Sequence, residues 1–359
     1  MKIMQVIPYF CFGGAETMCE NLTYALTALG HKVVVVSLYS ERTPISRRME
    51  EAGVKIHYLD KKLGLDLSMI GKLKKLMLAE KPNVVHTHLD VIKYAAAAAR
   101  LAGVPRCVHT VHNVADKEAE GRAQKIINGF YFSHGWSTPV ALSPEVQKSV
   151  ASFYGLPMEK IPVIYNGIDL SRCQKKQNYT LQNPAILTHI GRFNEQKNHN
   201  SLLRTFALIH QKYPHTRLNL LGDGELLKPT QALAKTLGIS DSVDFLGSQS
   251  NVYPYLQNSD IFLLPSLYEG MPMTLIEAMG TGLPIVASRV GGVPDMLEDG
   301  KSALLTDCAP KSVAQAAEEL LEDETLRVRL GQAAKTASEK FSSAHMAESY
   351  VRVYRAEGA

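Results

Sequence analysis

The segment "EGMPMTLIEAMGTGLPIVAS", residues 269–288, holds two carboxylates, Glu269 and Glu277, separated by a Gly, a Pro and a short apolar run. They are either two surface charges or two acceptors that reach one ligand at different heights. The preceding "IFLLPS" reads as a strand, which makes "LYEG" the loop at its carboxyl end. Pro272 suits the first turn of a helix. The pattern predicts a helix to about Met279, ended by Gly280 and Gly282. Glu269 then stands before the helix. Glu277 stands about five residues inside it, roughly 7–8 Å further along at 1.5 Å per residue. That separation does not suit a close acid/base dyad. It suits separated hydroxyl groups of one long ligand. The backbone N–H groups of Met273, Thr274 and Leu275, unpaired in a first turn, offer an anion site between the carboxylates.

Phosphate chemistry has further candidates. Ligands of open α/β sheets bind at the carboxyl ends of strands, where helix N-termini attract anions. Gly13 and Gly14 precede the first helix, and Gly222 and Gly224 follow the run "LNLL". Each pair is either a tight turn or a Cβ-free surface that admits a phosphate. The first βα turn lacks G-x-G-x-x-G, and the chain lacks G-x-x-x-x-G-K-[ST]. This argues against an NAD enzyme and a P-loop ATPase. In "GRFNEQKN", residues 191–198, Arg192 offers a fork of donors and Lys197 a point charge. They belong either to a solvated loop or to a diphosphate site.

Histidines gather at strand ends in "VHTHL" and "VHTVHN": His86, His88, His109 and His112. His86 and His88 share one strand face, but no Cys or carboxylate at ligand spacing joins them, so no metal site is expected. His109 belongs on the opposite strand face from His112.

The elements that must position these residues follow a repeated βα rhythm. "KIMQVI", a helix over "AETMCENLTYALTAL" and "KVVVVSL" form one βαβ unit, with Gly30 past the helix end. "VKIHYL", a helix near 67–80, "NVVHTHL", an Ala-rich helix at 93–102 and "RCVHTVHN" follow, with "STPVALS" and "IPVIYNG" as further strands. Continuous apolar strands imply helices on both sheet faces. Residues 171–183 are polar and read as a linker. A second series then runs through "AILTHIGR", "RLNLLGDG", "VDFLGS", "DIFLLPS" and "PIVAS". Two doubly wound domains are expected, 1–170 and 171–343. The last helix, 344–359, carries Met346, Tyr350, Val353 and Tyr354 at helical spacing and either caps the second domain or crosses back to the first.

Bulk properties agree. A chain of 359 residues suits two domains, and 45% hydrophobic with 21% charged residues suits a well-packed soluble protein. A formal charge of +4 gives no support to a nucleic-acid binder and accommodates anionic ligands. Five scattered cysteines read as reduced thiols of a cytosolic protein. "MKIMQVIPYF" reads as a strand and loop rather than a signal peptide, and no run is long enough to span a membrane. The stretch 61–81 sets Leu65, Ile70, Leu73, Leu76 and Met77 among lysines. It is either a sheet-packed helix with a solvated lysine face or a contact for anionic membrane.

"GGAE" at 13–16, "NGID" at 166–169, "GRFNEQKN", "GDGE" at 222–225, the Glu269/Glu277 pair and "GGVPDML" at 291–297 together resemble the retaining GT-B glycosyltransferases of family 4. The likeness covers nearly the whole chain, in the family's order. It implies an α/β GT-B fold: two Rossmann-like domains, an N-terminal acceptor domain and a C-terminal nucleotide-sugar domain, with the active site in the cleft between them and the last helix crossing back. It implies a nucleotide-sugar donor, a UDP-sugar, with no cofactor and no metal. By the same likeness Arg192 and Lys197 hold the diphosphate. Glu269 meets the donor sugar and Glu277 the ribose. Gly270, Met271, Pro272, Met273, Thr274 and Leu275 line the turn between them. His112 faces the sugar, as does His109 in an alternative assignment. Gly13, Gly14 and Gly222 admit the phosphates, and Gly247 and Ser248 lie by the base. Glu269, His112, Arg192 and Lys197 carry catalysis. The expected reaction moves a sugar to a saccharide or lipid-linked saccharide in bacterial surface-glycan assembly, in the cytoplasm or peripherally at the inner face of the membrane. The segment 113–125 would rim the acceptor site. Other readings are a GT-B epimerase, a phosphorylase, or a sugar-nucleotide binder without catalysis.

Overall fold

The continuous apolar runs become two parallel sheets in the computed structural model, which describes residues 1–11, 13–119 and 121–356. The first contains β1 (Lys2–Ile7), β2 (Lys32–Ser37), β3 (Lys55–Tyr58), β4 (Val84–His88), β5 (Arg106–Val111) and β6 (Thr138–Ala141). Its order is β3-β2-β1-β4-β5-β6. The second contains β7 (Ala185–Ile190), β8 (Thr216–Leu221), β9 (Val243–Gly247), β10 (Ile261–Leu264), β11 (Ile285–Ser288) and β12 (Leu304–Thr306), in the order β12-β11-β10-β7-β8-β9. Each sheet starts in its middle, winds to one edge, then returns and winds to the other. The reversal falls between β1 and β4 in the first sheet and between β7 and β10 in the second. Chain ends diverge there, which leaves room for a ligand at the carboxyl ends of the strands. β4 and β10 are buried throughout, as strands covered on both faces must be.

Residues 1–167 and the segment from Ser343 form one compact unit, and residues 168–342 form the other. In the first, the helix Ser343–Arg355 buries Met346, Tyr350 and Tyr354. Its tyrosines tie it to the sheet. The Tyr354 hydroxyl lies 2.7 Å from His86 Nδ1, and the Tyr350 hydroxyl lies 2.7 Å from Thr110 Oγ1.

Two expectations need correction, and one strand has no counterpart in the sequence reading. "IPVIYNG" is not a strand: only Val163 bridges, to Ala141. Its second residue, Pro162, and the polar run after Ile164 leave too few residues to extend the ladder. Residues 171–183 are not a free linker. Cys173 and Tyr179 are buried, and the Tyr179 hydroxyl donates to the Gly282 carbonyl at 2.9 Å. The three-residue strand β12 carries too short a pattern to be read in advance. The residues Phe12, Glu120 and 357–359, which fall in the expected first loop, acceptor rim and last helix, lie outside the described residues. Among the described residues no helix is long and apolar enough to cross a membrane.

Candidate active site

The reversal point of the second sheet carries the densest set of expected residues. β7 ends in the loop 191–198 and β10 in the loop 265–272, so adjacent parallel strands deliver both segments to the same sheet edge. The two loops are laced together. Leu267 N–H donates to the Gln196 carbonyl at 2.8 Å, and the Asn198 amide donates to the Pro265 carbonyl at 3.1 Å. Lys197 Nζ donates to Glu269 Oε1 at 2.6 Å, and Gln196 Nε2 donates to Glu269 Oε2 at 3.2 Å. Glu269 is 3% exposed. Its charge is therefore held in a dry site by an ammonium and an amide, each on its own oxygen. A carboxylate has about four acceptor positions and an ammonium three donors, so each group keeps capacity for a ligand.

Glycines let the backbones approach. Gly291, at φ +53°, lies where a Cβ would sit 1.7 Å from the Glu269 carbonyl oxygen, and Gly292 N–H donates to that oxygen at 3.3 Å. Gly222 stands against the Gly191 carbonyl, and Gly224 against that of Phe193. The need for glycine at 222 thus comes from a neighbouring loop. Gly222 N–H donates to the Gly247 carbonyl at 2.9 Å, joining the β8 and β9 ends. Ser248 beyond it is exposed.

Arg192 and Lys197 have different surroundings. The Arg192 side chain is 59% exposed and lies 3.8 Å from Glu225. Beneath Lys197, Gly191 packs close to both its aliphatic stem and His189. Burial lowers His189 to about 4, where its Nδ1–H donates to the Leu263 carbonyl at 2.8 Å. Burial also lowers His199, stacked on Phe193, to about 2. Both rings are neutral supports for the loop.

The helix Met273–Thr281 begins after Pro272 and ends at Gly282, φ +81°. It runs through Gly280 rather than stopping there. Leu275 N–H donates to the Pro272 carbonyl at 3.1 Å, so it is not the unpaired donor expected. Gly270, Met271 and Pro272 are buried in the turn. Glu277 is buried in the helix, and its charge adds to the burial that pushes the Cys173 thiol up to about 12. Tyr253 is raised by the same two causes, which places Glu277 beside both.

His86, His88 and His109 each have ring partners within the first unit. His86 sits between Tyr354 and Thr110, its Nε2 2.7 Å from Thr110 Oγ1. His88 sits between Gln5 and His112. His109 lies on the opposite face, 2.9 Å from Thr87 Oγ1. No ring nitrogen of His86 or His88 is left for a metal. Among the described residues no three His, Cys, Asp or Glu side chains cluster to hold one. Gly13 is the N-cap of the helix Gly14–Ala28, and a Cβ on it would meet the Glu16 carboxylate. The 113–125 segment is partly held inward: Glu118 accepts from the backbone N–H of His112 and Asn113 at 2.5 and 2.9 Å.

The model of glycosyltransferase family 4 matches residues 12–172, and that of the group 1 glycosyl transferases matches residues 172–337. The chain belongs to glycosyltransferase family 4. The transferase is 31% identical over 244 residues to the Escherichia coli UDP-Gal:alpha-D-GlcNAc-diphosphoundecaprenol alpha-1,3-galactosyltransferase. That match spans 63% of each chain, less than two thirds of the relative's length. It is 29% identical to the N-acetyl-alpha-D-glucosaminyl L-malate synthase of Bacillus anthracis, across 80% of this chain and 78% of that one. In fold it is similar to Anabaena HepE, solved with UDP, at a TM-score of 0.85 and 19% identity, covering 99% of this chain and 100% of that one. Its fold is GT-B.

Gln196, Gly291 and the Gln5–His88 pair escaped the sequence reading. Gln196 and Gly291 stand inside motifs whose other residues carry the pattern. Gln5 and His88 sit within strands, and nothing in strand patterning shows which side chains meet across a sheet.

Proposed function

We propose that the transferase moves a sugar from a UDP-sugar, with retention of configuration, to a saccharide or lipid-linked saccharide in bacterial surface-glycan assembly. The Lys197–Glu269 pair at the sheet reversal carries this reading. It sets a buried acceptor for sugar hydroxyls against a cation for the departing diphosphate. Arg192, exposed on the same loop, adds a second cation, and Glu277 meets the ribose. In a same-face transfer the leaving phosphate takes the acceptor's proton. The protein then supplies orientation and charge stabilisation rather than an acid/base dyad. The residues 1–170 take the acceptor and 171–343 the donor.

The test is a panel of UDP-, GDP- and ADP-sugars, read by melting temperature and by slow donor hydrolysis in the presence of EDTA. One UDP-sugar is expected to stabilise the protein and to be hydrolysed with EDTA present. Stabilisation without hydrolysis of any donor favours a silent binder. Preference for a GDP- or ADP-sugar overturns the donor.

A lipid-linked acceptor would be met at a membrane, and one surface suits that. Leu63, Leu65 and Leu67 are 93%, 72% and 66% exposed. The polar groups of their loop turn inward. Lys61 Nζ donates to the carbonyls of Lys62 and Gly64 at 2.9 and 2.6 Å, and Asp66 accepts from the N–H of Lys62 and Ser68, each at 3.1 Å. The result is a closed turn with an apolar tip, flanked by exposed Lys62, Lys72 and Lys75. Such a tip enters the interface of an anionic bilayer at the inner face of the cell membrane while the lysines meet phosphate headgroups. The transferase should sediment with anionic vesicles at low salt and less so at moderate salt. Replacing the three leucines by serine should weaken binding at least tenfold, each leucine contributing about 1.5–3 kcal/mol on burial. No sedimentation at either salt rules the contact out.

A further inference from the structure

His88 lies with its ring 0% exposed between two partners: its Nε2 is 3.0 Å from Gln5 Oε1 and its Nδ1 is 3.1 Å from His112 Nε2. Gln5, also fully buried, is itself oriented. Its Nε2 lies 3.3 Å from the Cys19 carbonyl and 2.6 Å from Thr23 Oγ1, and the Thr23 hydroxyl donates to the same carbonyl at 2.8 Å. A carbonyl only accepts, so the group facing Cys19 is the amide NH2 and the group facing His88 is the amide oxygen. That oxygen accepts, so His88 carries its proton on Nε2. Its Nδ1 is then a lone pair, which accepts from His112 Nε2–H. A neutral His112 protonated on Nε2 has a lone pair on Nδ1. Among the described residues no hydrogen bond falls on that Nδ1, and the His112 side chain is only half-buried.

We infer that Gln5 and His88 are positioning residues that hold His112 as the Nε2–H tautomer, so that His112 Nδ1 accepts a hydrogen bond from a hydroxyl of the donor sugar and does not contact a phosphate. The inference rests on the proposed placing of His112 at the donor. A phosphate oxygen offers no proton, and a lone pair facing it is repelled. Burial keeps His88 well below the usual histidine range and lowers His112 to about 4, so both rings stay neutral at pH 7. Glu118 fixes the backbone of the same turn, and the His88 contact holds the ring by its Nε2.

Long-range proton–nitrogen correlation spectra of the histidine-labelled protein test this, because protonated and bare ring nitrogens resonate far apart. At pH 7 the wild type should show His88 and His112 as pure Nε2–H forms. Adding the UDP-sugar found in the panel should shift His112 Nδ1, and UDP alone should not. Gln5→Leu should give mixed tautomers at both histidines. Its donor KM should rise about tenfold, the loss of one hydrogen bond of about 1.4 kcal/mol, with a smaller change in kcat. A wild-type His112 in the Nδ1–H or charged form overturns the relay, and that spectrum needs no variant. So does a folded Gln5→Leu protein with an unchanged His112 tautomer. An equal shift with UDP alone overturns the hydroxyl assignment. No shift with any ligand, against the expected wild-type tautomers, removes His112 from the donor site and spares the relay.

Discussion

Lys197→Ala should lower kcat by about 10²-fold or more, the loss expected for one charged contact to a developing anion. It should also destabilise its unit by about 3 kcal/mol, because it strands a carboxylate in a dry site. The Lys197 and Glu269 side chains are 14% and 4% exposed, so water reaches neither well enough to replace the pair. Arg192→Ala should separate the two effects. Its side chain is 59% exposed and pairs with an equally exposed Glu225, so turnover should fall with no change in melting temperature. The double variant Lys197→Ala/Glu269→Gln should recover much of the lost stability, since no buried charge remains, and none of the turnover. Steady-state kinetics with the panel's donor and thermal melts read both quantities. Turnover within about threefold of wild type in Lys197→Ala, against the 10² one contact can supply, would sink its assignment to the diphosphate.

Gly291→Ala should cost about 3 kcal/mol or more, from a left-handed backbone strain compounded by a clash. For a unit of this size that is a fall in melting temperature of roughly 6–12 °C, at about 2–4 °C per kcal/mol. The new Cβ would meet the Glu269 carbonyl oxygen at 1.7 Å, so either the turn moves or Glu269 does. Gly300→Ala is the control. Its φ is +68°, but a Cβ there meets nothing within 4 Å, so it should cost only the strain, about 1–2 kcal/mol. Equal melting temperatures for the two variants would show that close packing on Glu269 contributes nothing. Donor KM should rise in the Gly291 variant alone.

Much of this enzyme is legible in one dimension. Apolar runs such as "KVVVVS" and "IFLL" mark strands because a strand covered on both faces must be apolar on both. The loop after β7 and the loop after β10 could be placed at strand ends, and so at a ligand edge, because parallel βαβ winding puts every βα loop on one edge. Arg192, Lys197, Glu269 and Glu277 are picked out as candidates this way, by residue type and by position in the βα rhythm. "IPVIYNG" misled because apolar content alone does not supply a neighbouring strand to pair with.

Side-chain partners were not legible, because contact across a fold depends on strand order and register rather than on spacing. The order β10-β7 makes Lys197 and Gln196 the partners of Glu269, across more than 70 positions of sequence. The order β1-β4-β5 brings Gln5, His88 and His112 into one line of hydrogen bonds. The same packing decides why Gly222 and Gly291 must be glycine: each faces another loop's backbone, where even a methyl group has no room. By itself, the sequence determined which residues bring charge and hydrogen-bonding capacity to the strand ends. Only the tertiary structure decided which of those groups neutralise one another and which keep a donor or a lone pair for a ligand, because that division depends on distances the chain acquires when its sheets form.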